Sequence, residues 1–579
     1  MNIQRNIFAG LLIFCIFLTI PIYLDFIGLS QDDSSNPEEY QGQDEPYNET
    51  QPRVDEIITQ PALELEKIIK DPRERTITIN TDYYNMVLSN RSGGSILLYQ
   101  LTEKNKDLSY KHVGSYDSDQ KYGDSLNVTL INNLKLNNNE APSCAPCLSI
   151  NGQIIYDAFS LDVKDDFISL APGENQKLVF SYSIADGIYI EKTIIIDGDG
   201  YDFESTYSYS VPSDVGYGGN VELVWDAGIH PTEPGDADVY EAHSAAYIYQ
   251  NDALESITQS DQNNIPSKTF NGQTEWCAIR NKYFSVIIIP ESPMDYATLS
   301  SKNITTFENR ETTPIYTAIL GTNLGDGATN KTSSFTTYVG PLDIDHISLL
   351  DSSVESIMNF GWSIIKPFSR LVLWFIKTIH YSFGVNYGIV LVLVAFMMRF
   401  IMGPLTKKSA ESSAKMQEVA PLQKKLQEKY KDNPQQLQKE MGVLWKKHGV
   451  NPISGCLPML LQWPVLMSFF IVFRSTIEFR GQPFIFWIKD LSQPDYLFSL
   501  PFHVPMYGSA VAILPIIMGI SMFLTMSITM QDKSQKTMMY FMNGFFILIF
   551  NSFPSGLTLY YTIFNFLSYQ QQLSIKKNK

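Results

Sequence analysis

Residues Tyr387–Lys408, YGIVLVLVAFMMRFIMGPLTKK, decide the fold class of this chain. Twelve mostly apolar residues precede Arg399, and four more separate it from Pro404, so the arginine lies inside a segment long enough to enter a lipid bilayer. A charge at that depth costs about 2.5–3.5 kcal/mol on insertion scales. Two interpretations keep this cost tolerable: the side chain reaches the polar membrane surface, or it faces a water-filled cavity.

The composition indicates two different regions in one chain. The 579 residues carry a net charge of −18, and the mean hydropathy of −0.08 is typical of an acidic soluble protein. That average combines an acidic first part, rich in short alternating apolar runs, with a last part of long apolar blocks separated by lysine-rich loops. We therefore expect a soluble domain and a membrane domain. Five cysteines are too few and too scattered for a disulfide-rich scaffold.

The N-terminal apolar run is longer than the core of a signal peptide and lacks a small-residue cleavage site. It predicts an uncleaved transmembrane helix 1 at 6–27. Arg5 precedes this run and several acidic residues follow it, which places the N-terminus in the cytoplasm and the next region outside. Residues 28–72 are polar and acidic with few large apolar side chains, and predict a flexible linker.

Residues 73–347 alternate apolar and polar side chains with a period of two, as in IYIEKTIIID and YFSVIIIP. Many short strands without an intervening helical pattern predict a β-sandwich outside the membrane.

Two groups in this domain raise the question of chemistry. Several acidic and histidine side chains that could hold a metal or form an acid/base pair lie in one stretch: His230, Asp236, Asp238, Glu241 and His243. A solvated acidic loop is the favoured interpretation, because their spacing does not fix them on one face. The pair Cys144 and Cys147 has redox spacing, but no second ligand pair or helix follows, which favours a structural disulfide or idle thiols.

The last part of the chain divides into apolar blocks and loops. Residues 352–381 predict an amphipathic helix on the outer bilayer surface, broken or kinked at Pro367. The remaining predicted boundaries are helix 2 at 383–403, a cytoplasmic helical hairpin at 404–455, helix 3 at 456–478, a periplasmic loop at 479–508, helix 4 at 509–530, helix 5 at 538–554, helix 6 at 556–574 and a basic cytoplasmic tail at 575–579. Together they predict six transmembrane helices with both termini inside.

The loop 404–455 contains ten lysines and five acids. A positive loop stays in the cytoplasm. Apolar residues recur at helical spacing on both sides of Pro434, which predicts a helical hairpin. Its alternatives are a plain solvated connection and a docking arm, and the narrow apolar stripe favours the arm, with docking lysines at Lys407, Lys408, Lys424, Lys425, Lys446 and Lys447.

Polar side chains recur within the predicted transmembrane helices. They include Arg399, Gln462, Asn543, Asn551, Tyr560, Tyr561 and Asn565. We predict that Asn543 and Asn551 hold neighbouring helices together. Because no acidic residue lies at the depth of Arg399, we expect the arginine to face a wet cavity open to the cytoplasm.

Four motifs then carry a resemblance to a known family. In chain order they are MMRFIMGPLTKKS (397–409), NPISGCLPMLLQWPVLMSFF (451–470), PFIFWIKDLSQPD (483–495) and FPSGLTLYYTIFNFLSYQQQ (553–572), and they closely resemble the YidC/Oxa/Alb family of membrane protein insertases. The stretches WCAIRNKYFSVIIIP (276–290) and YVGPLD (338–343) are similar to the large periplasmic domain of Gram-negative members.

The resemblance implies an inner-membrane insertase for nascent membrane proteins, working alone or with the Sec translocon, with a hydrophilic groove and a periplasmic β-supersandwich. It implies no enzymatic activity, cofactor or metal. The expected partners are nascent segments, Sec, the ribosome and membrane lipids, without recognition of a nucleic-acid sequence. The expected groove residues are Arg399, Gln462, Tyr561 and Asn565. One departure is Ala395, where the family often has Thr.

Two other classes of protein share some of these features. A secondary transporter also keeps an arginine in a cavity, but we find no repeated spans and no paired intramembrane charges. A membrane-anchored polysaccharide-binding enzyme would place its chemistry in the sandwich and would need a carboxylate pair there.

Overall fold

A computed structural model describes the chain from residue 74 to residue 577. It leaves out 118–119, 134–142, 184–188, 212–218, 235–243, 259–266, 305–312, 324–328, 432, 450–456, 505–506 and 530–532. The predicted helix 1 and the linker 28–72 lie outside the described residues. The chain divides into two compact units, of which the second comprises Lys111–Gly114 and everything from Pro341 onward.

The first unit is built from strands, as the period-two pattern predicts. Its strands are β1 Thr76–Asn80, β2 Tyr84–Ser89, β3 Ser95–Leu101, β4 Val113–Tyr116 (which begins in the second unit), β5 Tyr122–Asn127, β6 Thr129–Asn132, β7 Cys147–Ile150, β8 Gln153–Ile154, β9 Ser160–Leu161, β10 Phe167–Ser169, β11 Asn175–Ser183, β12 Tyr189–Asp197, β13 Asp202–Val211, β14 Asn220–Trp225, β15 Ala245–Gln250, β16 Ala253–Thr258, β17 Ser267–Arg280, β18 Phe284–Pro290, β19 Met294–Ile304, β20 Thr313–Asn323 and β21 Thr329–Pro341.

Two sheets face each other in this unit. The smaller has the order β10-β1-β2-β3-β6, and the larger follows β8-β7-β14-β20-β19-β17-β18-β21-β13-β12-β11-β9 with β15 and β16 attached. The sheets touch where Gly94, beside β3, lies against Phe180 and Ile194 of the larger sheet. Tyr99 donates a hydrogen bond across the gap to the carbonyl oxygen of Tyr201, at 3.4 Å. The core therefore lies between the sheets, where the apolar face of each strand is buried.

The two groups considered for chemistry have structural roles where they are described. Cys144 and Cys147 form a disulfide buried against Val224. His230 is partly buried, and desolvation lowers the pKa of the imidazole to about 4. The other residues of that candidate cluster lie outside the described part of the chain. Among the described residues, no three potential metal-ligating side chains come together.

The second unit is mainly helical. Its helices are α1 Ile344–Leu350, α2 Lys366–Phe383, α3 Tyr387–Lys429, α4 Pro434–Lys447, α5 Leu457–Ser475, α6 Leu514–Thr529, α7 Lys533–Phe550 and α8 Ser555–Lys577, with 3₁₀ turns at Val354–Ile357 and Ile477–Phe479 and a hairpin of β22 Tyr496–Val504 and β23 Gly508–Ala512. Helix α8 packs against α3, α5 and α6, and α6 packs against α7.

Helix α3 does not end at Pro404, contrary to the predicted boundary. It runs for 43 residues through Pro404 and Pro421, so the predicted helix 2 and the first arm of the hairpin are one helix. Proline is tolerated inside membrane helices where neighbouring groups satisfy the freed backbone. The second arm begins at Pro434, with Asn433 as the capping residue.

The prediction of one helix over 352–381 is also wrong. A 3₁₀ turn at Val354–Ile357 is followed by the separate helix α2 from Lys366. Pro367 lies in the first turn of α2, where its missing N–H group is not needed, so it starts the helix instead of breaking it.

One described helix is long and apolar enough to cross a bilayer, at Tyr387–Pro404. Shorter apolar helices lie at Trp463–Ser475, Leu514–Ile528 and Tyr540–Phe550. The predicted helix 4 at 509–530 begins later than expected, because residues Gly508–Ala512 form a strand.

Candidate substrate groove

Helix α3 carries Arg399 toward the interior of the second unit. Asn386 caps the helix by accepting a hydrogen bond from the Gly388 N–H at 2.8 Å. One side of the helix buries Val394 and Ala395, whereas Phe396 is exposed on the other side. Arg399 lies one turn after the buried Ala395 and is half-buried.

The partners of Arg399 are neutral. Its Nη2 donates to the side-chain oxygen of Gln571 on α8, and the centre of its guanidinium lies 5.6 Å from the ring centroid of Phe564. Its buried Nε has no hydrogen-bond partner. In the described part of the chain, no acidic side chain pairs with Arg399. The cation therefore keeps unused hydrogen-bonding capacity.

Gln571 connects the arginine to the helix that bears it. Its Nε2 donates to the carbonyl oxygen of Gly403 on α3, at 3.3 Å. The amide thus bridges α8 to the segment around Pro404. Sequence reasoning did not single out Gln571 as a groove residue, although its spacing from Phe564 and Ser568 places all three along one side of α8.

Tyr561 lies at the contact between α8 and α5. Its hydroxyl donates to the carbonyl oxygen of Leu466 at 3.4 Å, and the side chain is buried. The neighbouring Tyr560 stacks on Phe469 of α5, with ring centroids 4.0 Å apart. These contacts hold α8 against α5.

The structure describes the side chain of Asn565 but not that of Gln462, the other two predicted groove residues. Asn565 is half-buried, and its backbone carbonyl accepts a hydrogen bond from Thr525 of α6 at 3.1 Å. Gln462 lies on α5, but its side chain is outside the described residues. The name candidate groove is used below for the region around Arg399, Phe564 and Gln571, with Tyr561 one turn before Phe564 on α8.

Asn543 holds two helices together, as predicted. Its Nδ2 donates to the carbonyl oxygen of Gly519 on α6, at 2.9 Å. A side chain at Gly519 would clash with Ile547 of α7, so this glycine permits the close packing of the two helices.

The acidic residue nearest the end of α5 is paired elsewhere. Glu478 is buried and lies 3.4 Å from Lys377 Nζ on α2, which also contacts Asp343 at 2.8 Å and Asp345 at 2.6 Å. Burial lowers the pKa of Lys377, but the Glu478 and Asp343 charges outweigh it and raise the value overall. This cluster fixes α2 to the end of α5.

The predicted docking lysines lie on α3 and α4. Lys407, Lys424, Lys425, Lys446 and Lys447 are exposed, and the side chain of Lys408 lies outside the described residues. In α4, Lys446 and Lys447 occupy the last turn, where a positive charge also favours the helix dipole.

Comparisons with known proteins cover most of the chain. The family model described as 60Kd inner membrane protein matches residues 378–579, and the model described as YidC periplasmic domain matches residues 157–374. A membrane protein insertase YidC of Prosthecochloris aestuarii is 32% identical over 525 residues, which are 88% of this chain and 84% of that protein. Another, of Chlorobium phaeovibrioides, is 36% identical over 413 residues, 68% of this chain and 69% of that protein. A crystal structure titled as an active YidC insertase with its first transmembrane domain resolved is 18% identical, covering 86% of this chain and 92% of that one, with a TM-score of 0.33.

Proposed function

Because the chain belongs to the YidC family of membrane protein insertases, we propose that its groove receives polar outer segments of nascent membrane proteins while their apolar segments move into lipid. The chain is an insertase of the inner membrane with a periplasmic domain, and it is not an enzyme. The polysaccharide enzyme and transporter interpretations therefore give way to the family's function. Nascent membrane proteins are its substrates.

The observation that carries the proposed groove is the set of neutral partners around Arg399. A cation held by an amide and an aromatic ring, with its Nε unpaired, has capacity left for water or an incoming anionic group. A carboxylate neighbour would have consumed that capacity. An acidic or strongly polar segment that enters the groove exchanges part of its hydration for contact with this charge, which lowers the cost of leaving water.

The proposed topology has six transmembrane helices with both termini in the cytoplasm. The lysine-rich arm supports it, since positive loops stay inside. Helix α3 leaves about 25 residues beyond Pro404, or about 38 Å of helix, which is enough to extend well past the membrane surface. The match of residues 157–374 to the YidC periplasmic domain model supports a location on the opposite side for the first unit.

Short apolar helices support local thinning of the bilayer at the groove. The apolar run of α7, residues 538–550, spans about 20 Å, roughly two thirds of a typical hydrocarbon core of about 30 Å. A bilayer that adapts to such helices becomes thinner beside them. The polar segment of a substrate then crosses a shorter apolar barrier, and burial of the substrate's own apolar residues in lipid drives the rest of the reaction.

We further propose that the exposed lysines of α3 and α4 bring ribosomes or nascent chains to the groove, and that the protein works both alone and beside the Sec translocon. The clustered positive charge supports the first part, because ribosomal RNA is polyanionic. Membrane lipids complete the set of partners, since the substrate must leave the groove sideways into the bilayer.

Site-specific crosslinking tests the position of the groove. A photoreactive phenylalanine analogue replaces Tyr561 or Phe564, and ribosome-stalled nascent chains of a single-span substrate are irradiated in native membranes. We expect adducts at both positions. Tyr540, an exposed aromatic residue on α7, is the matched control. Adducts that form at position 540 as well as or better than at the two groove positions would contradict the proposed site.

A further inference from the structure

The hairpin of β22 and β23 connects α5 to α6 and takes no part in the groove described above. Its strands are antiparallel, with Phe498 paired to Val511 and Ser499 to Ala510. From Tyr496 to Leu514 the sequence contains no Asp, Glu, Lys or Arg. An uncharged stretch of this length is unusual for a loop that faces water alone.

The first strand presents consecutive apolar and aromatic side chains to the surface. The strand pairing shifts at Leu497, between Tyr496 and Phe498, and these three residues are 42%, 56% and 53% exposed in chain order 496, 497, 498. Phe502 is 61% exposed. A hairpin that packs one face on a protein and shows the other to water alternates apolar and polar residues, and this strand does not.

Hydrogen bonds fix the second strand of the hairpin, from the turn to its end, to the ends of two apolar helices. The fully buried Asn551, just after α7, donates to the carbonyl oxygens of Tyr507 at 2.7 Å and Ala510 at 2.8 Å. Its Oδ1 accepts from the Ala512 N–H at 2.9 Å. Asp495 accepts from the Leu514 N–H at 2.7 Å, at the start of α6. The hairpin is thus held at the end of α7 and the start of α6, which the proposed topology places at the outer membrane surface.

We propose that this hairpin is a membrane anchor, with Leu497, Phe498 and Phe502 seated in the headgroup region of the outer lipid leaflet. The inference rests on the proposed topology, in which α6 and α7 cross the bilayer. The headgroup region fits better than the hydrocarbon core, because a two-stranded ribbon has unpaired edge N–H and C=O groups that need polar partners. Lipid fits better than a protein partner, because the stretch lacks charged residues and is followed in the sequence by α6, whose Ile516, Ile517 and Ile520 are also exposed.

The anchor has a consequence for the groove. Because Asn551 and Asp495 tie the hairpin rigidly to α7 and α6, lipid contact at the hairpin fixes the depth of both helices. If the depth of α6 and α7 in the bilayer is fixed, the thinned region of the membrane stays beside the groove.

Spin labelling of the full chain in phosphatidylethanolamine and phosphatidylglycerol vesicles tests the inference. Single cysteines replace Leu497 or Phe502 in a chain in which Cys15 and Cys456 are serine, whereas Cys277 is buried and Cys144 and Cys147 form a disulfide. Oxygen, which concentrates in lipid, and a water-soluble nickel chelate are the collision reagents. Leu108, 77% exposed in the first unit, is the water control, and Ile520, exposed on α6, is the lipid control.

We expect labels at Leu497 and Phe502 to have oxygen-to-nickel collision ratios severalfold above the ratio of a label at Leu108 and below that of a label at Ile520. Such intermediate ratios correspond to the depth of the lipid headgroups. Labels that match Leu108 while Ile520 remains in lipid would overturn the anchor and leave the topology standing. Labels shielded from both reagents would show that a protein covers the hairpin, which also overturns the inference. An Ile520 label that matches Leu108 would overturn the proposed topology and the anchor together.

Discussion

At Arg399 the protein holds a cation against an amide and an aromatic ring. Gln571 accepts a hydrogen bond from the guanidinium and donates one to Gly403, so it orients the arginine without neutralising it. A carboxylate at the same place would pair with the arginine, because opposite charges in a partly buried site attract strongly. The choice of amide over carboxylate is therefore what keeps the charge available.

Substitution of Gln571 tests this directly. We expect Gln571→Glu to reduce insertion of a substrate with an acidic outer tail severalfold and to leave a neutral-tailed substrate nearly unaffected, because the new carboxylate occupies Arg399. Gln571→Ala should have a smaller effect, since the cation stays free. Insertion is measured by protease protection. Gln570→Glu is the matched control, because Gln570 is exposed on the same helix and the substitution adds the same negative charge. Equal insertion defects in the two Glu variants would contradict the role given to Gln571.

Lys192 in β12 is a fully buried basic residue of the first unit, and it predicts a pH dependence of stability. It is fully buried, with its Nζ 3.5 Å from the Gly94 carbonyl oxygen and 4.9 Å from the centroid of the Tyr207 ring. Burial lowers the pKa of its amine from 10.5 to about 7. Between these values the unfolded chain binds more protons than the folded chain, so the free energy of unfolding rises with pH, by at most about 1.4 kcal/mol per unit.

We expect Lys192→Met to increase the free energy of unfolding at pH 7 and to remove part of its rise between pH 7 and pH 9. Urea unfolding of the detergent-solubilised chain, followed by near-ultraviolet circular dichroism, measures both effects. Lys177→Met on the neighbouring strand β11 is the control, because Lys177 is exposed. An unchanged pH slope in the Lys192 variant would show that the buried amine is not the source.

The sequence predicted the arginine of the site but missed its partner. An arginine in an apolar run is visible because its burial is costly wherever it lies. Gln571 lies near the end of α8 among three consecutive glutamines, and which of them faces Arg399 depends on how α8 packs on α3. That packing is a tertiary property. The spacing in the sequence shows which residues share a side of α8, but it does not show which residue of another helix they contact.

Helix α3 contains both the apolar run around Arg399 and the first half of the lysine-rich arm, residues 404–447, as one element. The residues around Pro404 predicted a helix end because proline removes a backbone donor and crowds the preceding turn. The helix continues, and Gln571 of α8 donates to the Gly403 carbonyl beside this proline. A contact made 168 residues away in sequence could not be foreseen from the local pattern.

The exposed lysines of the arm predict salt-dependent ribosome binding. We expect the quadruple variant Lys424→Gln, Lys425→Gln, Lys446→Gln and Lys447→Gln to co-sediment less with ribosomes and to show a shallower dependence on salt, because fewer phosphate contacts release fewer counterions. The control replaces four exposed lysines of the first unit, Lys106, Lys164, Lys177 and Lys268, with Gln. Equal binding by both variants, or binding insensitive to salt, would contradict the arm's role.

The division of the whole molecule into a β-rich unit and a helical unit followed from the change of period in the sequence. The predicted sandwich ends at residue 347, and the structural boundary lies at Gly340. Residues Lys111–Gly114 were not predicted to belong to the second unit. There Arg480 donates to the carbonyl oxygens of Val113 at 2.7 Å and Gly114 at 2.9 Å, a contact that sequence periodicity cannot indicate.

Two deletions test whether insertion needs the β-rich unit. We expect cells depleted of their own insertase to grow on a chain that lacks residues 120–330, because the groove residues all lie in the second unit. This deletion keeps Val113 and Gly114, the acceptors for Arg480, and a deletion of 80–330 removes them. Growth with only the shorter deletion would assign a structural role to residues 80–119, which contain Val113 and Gly114. Loss of growth with both would contradict an insertase activity confined to the second unit.

The central claim is that Arg399 attracts acidic segments into the groove, and Arg399→Ala tests it most directly. Two single-span substrates, identical except for an acidic or a neutral outer tail, are followed by protease protection in cells depleted of the wild-type protein. We predict that Arg399→Ala impairs the acidic-tailed substrate most and that Arg399→Lys largely retains insertion, since a point charge suffices to hold water and attract an anion. Insertion of both substrates by the Ala variant at the wild-type level would contradict the claim and leave Arg399 as an anchor at the membrane surface.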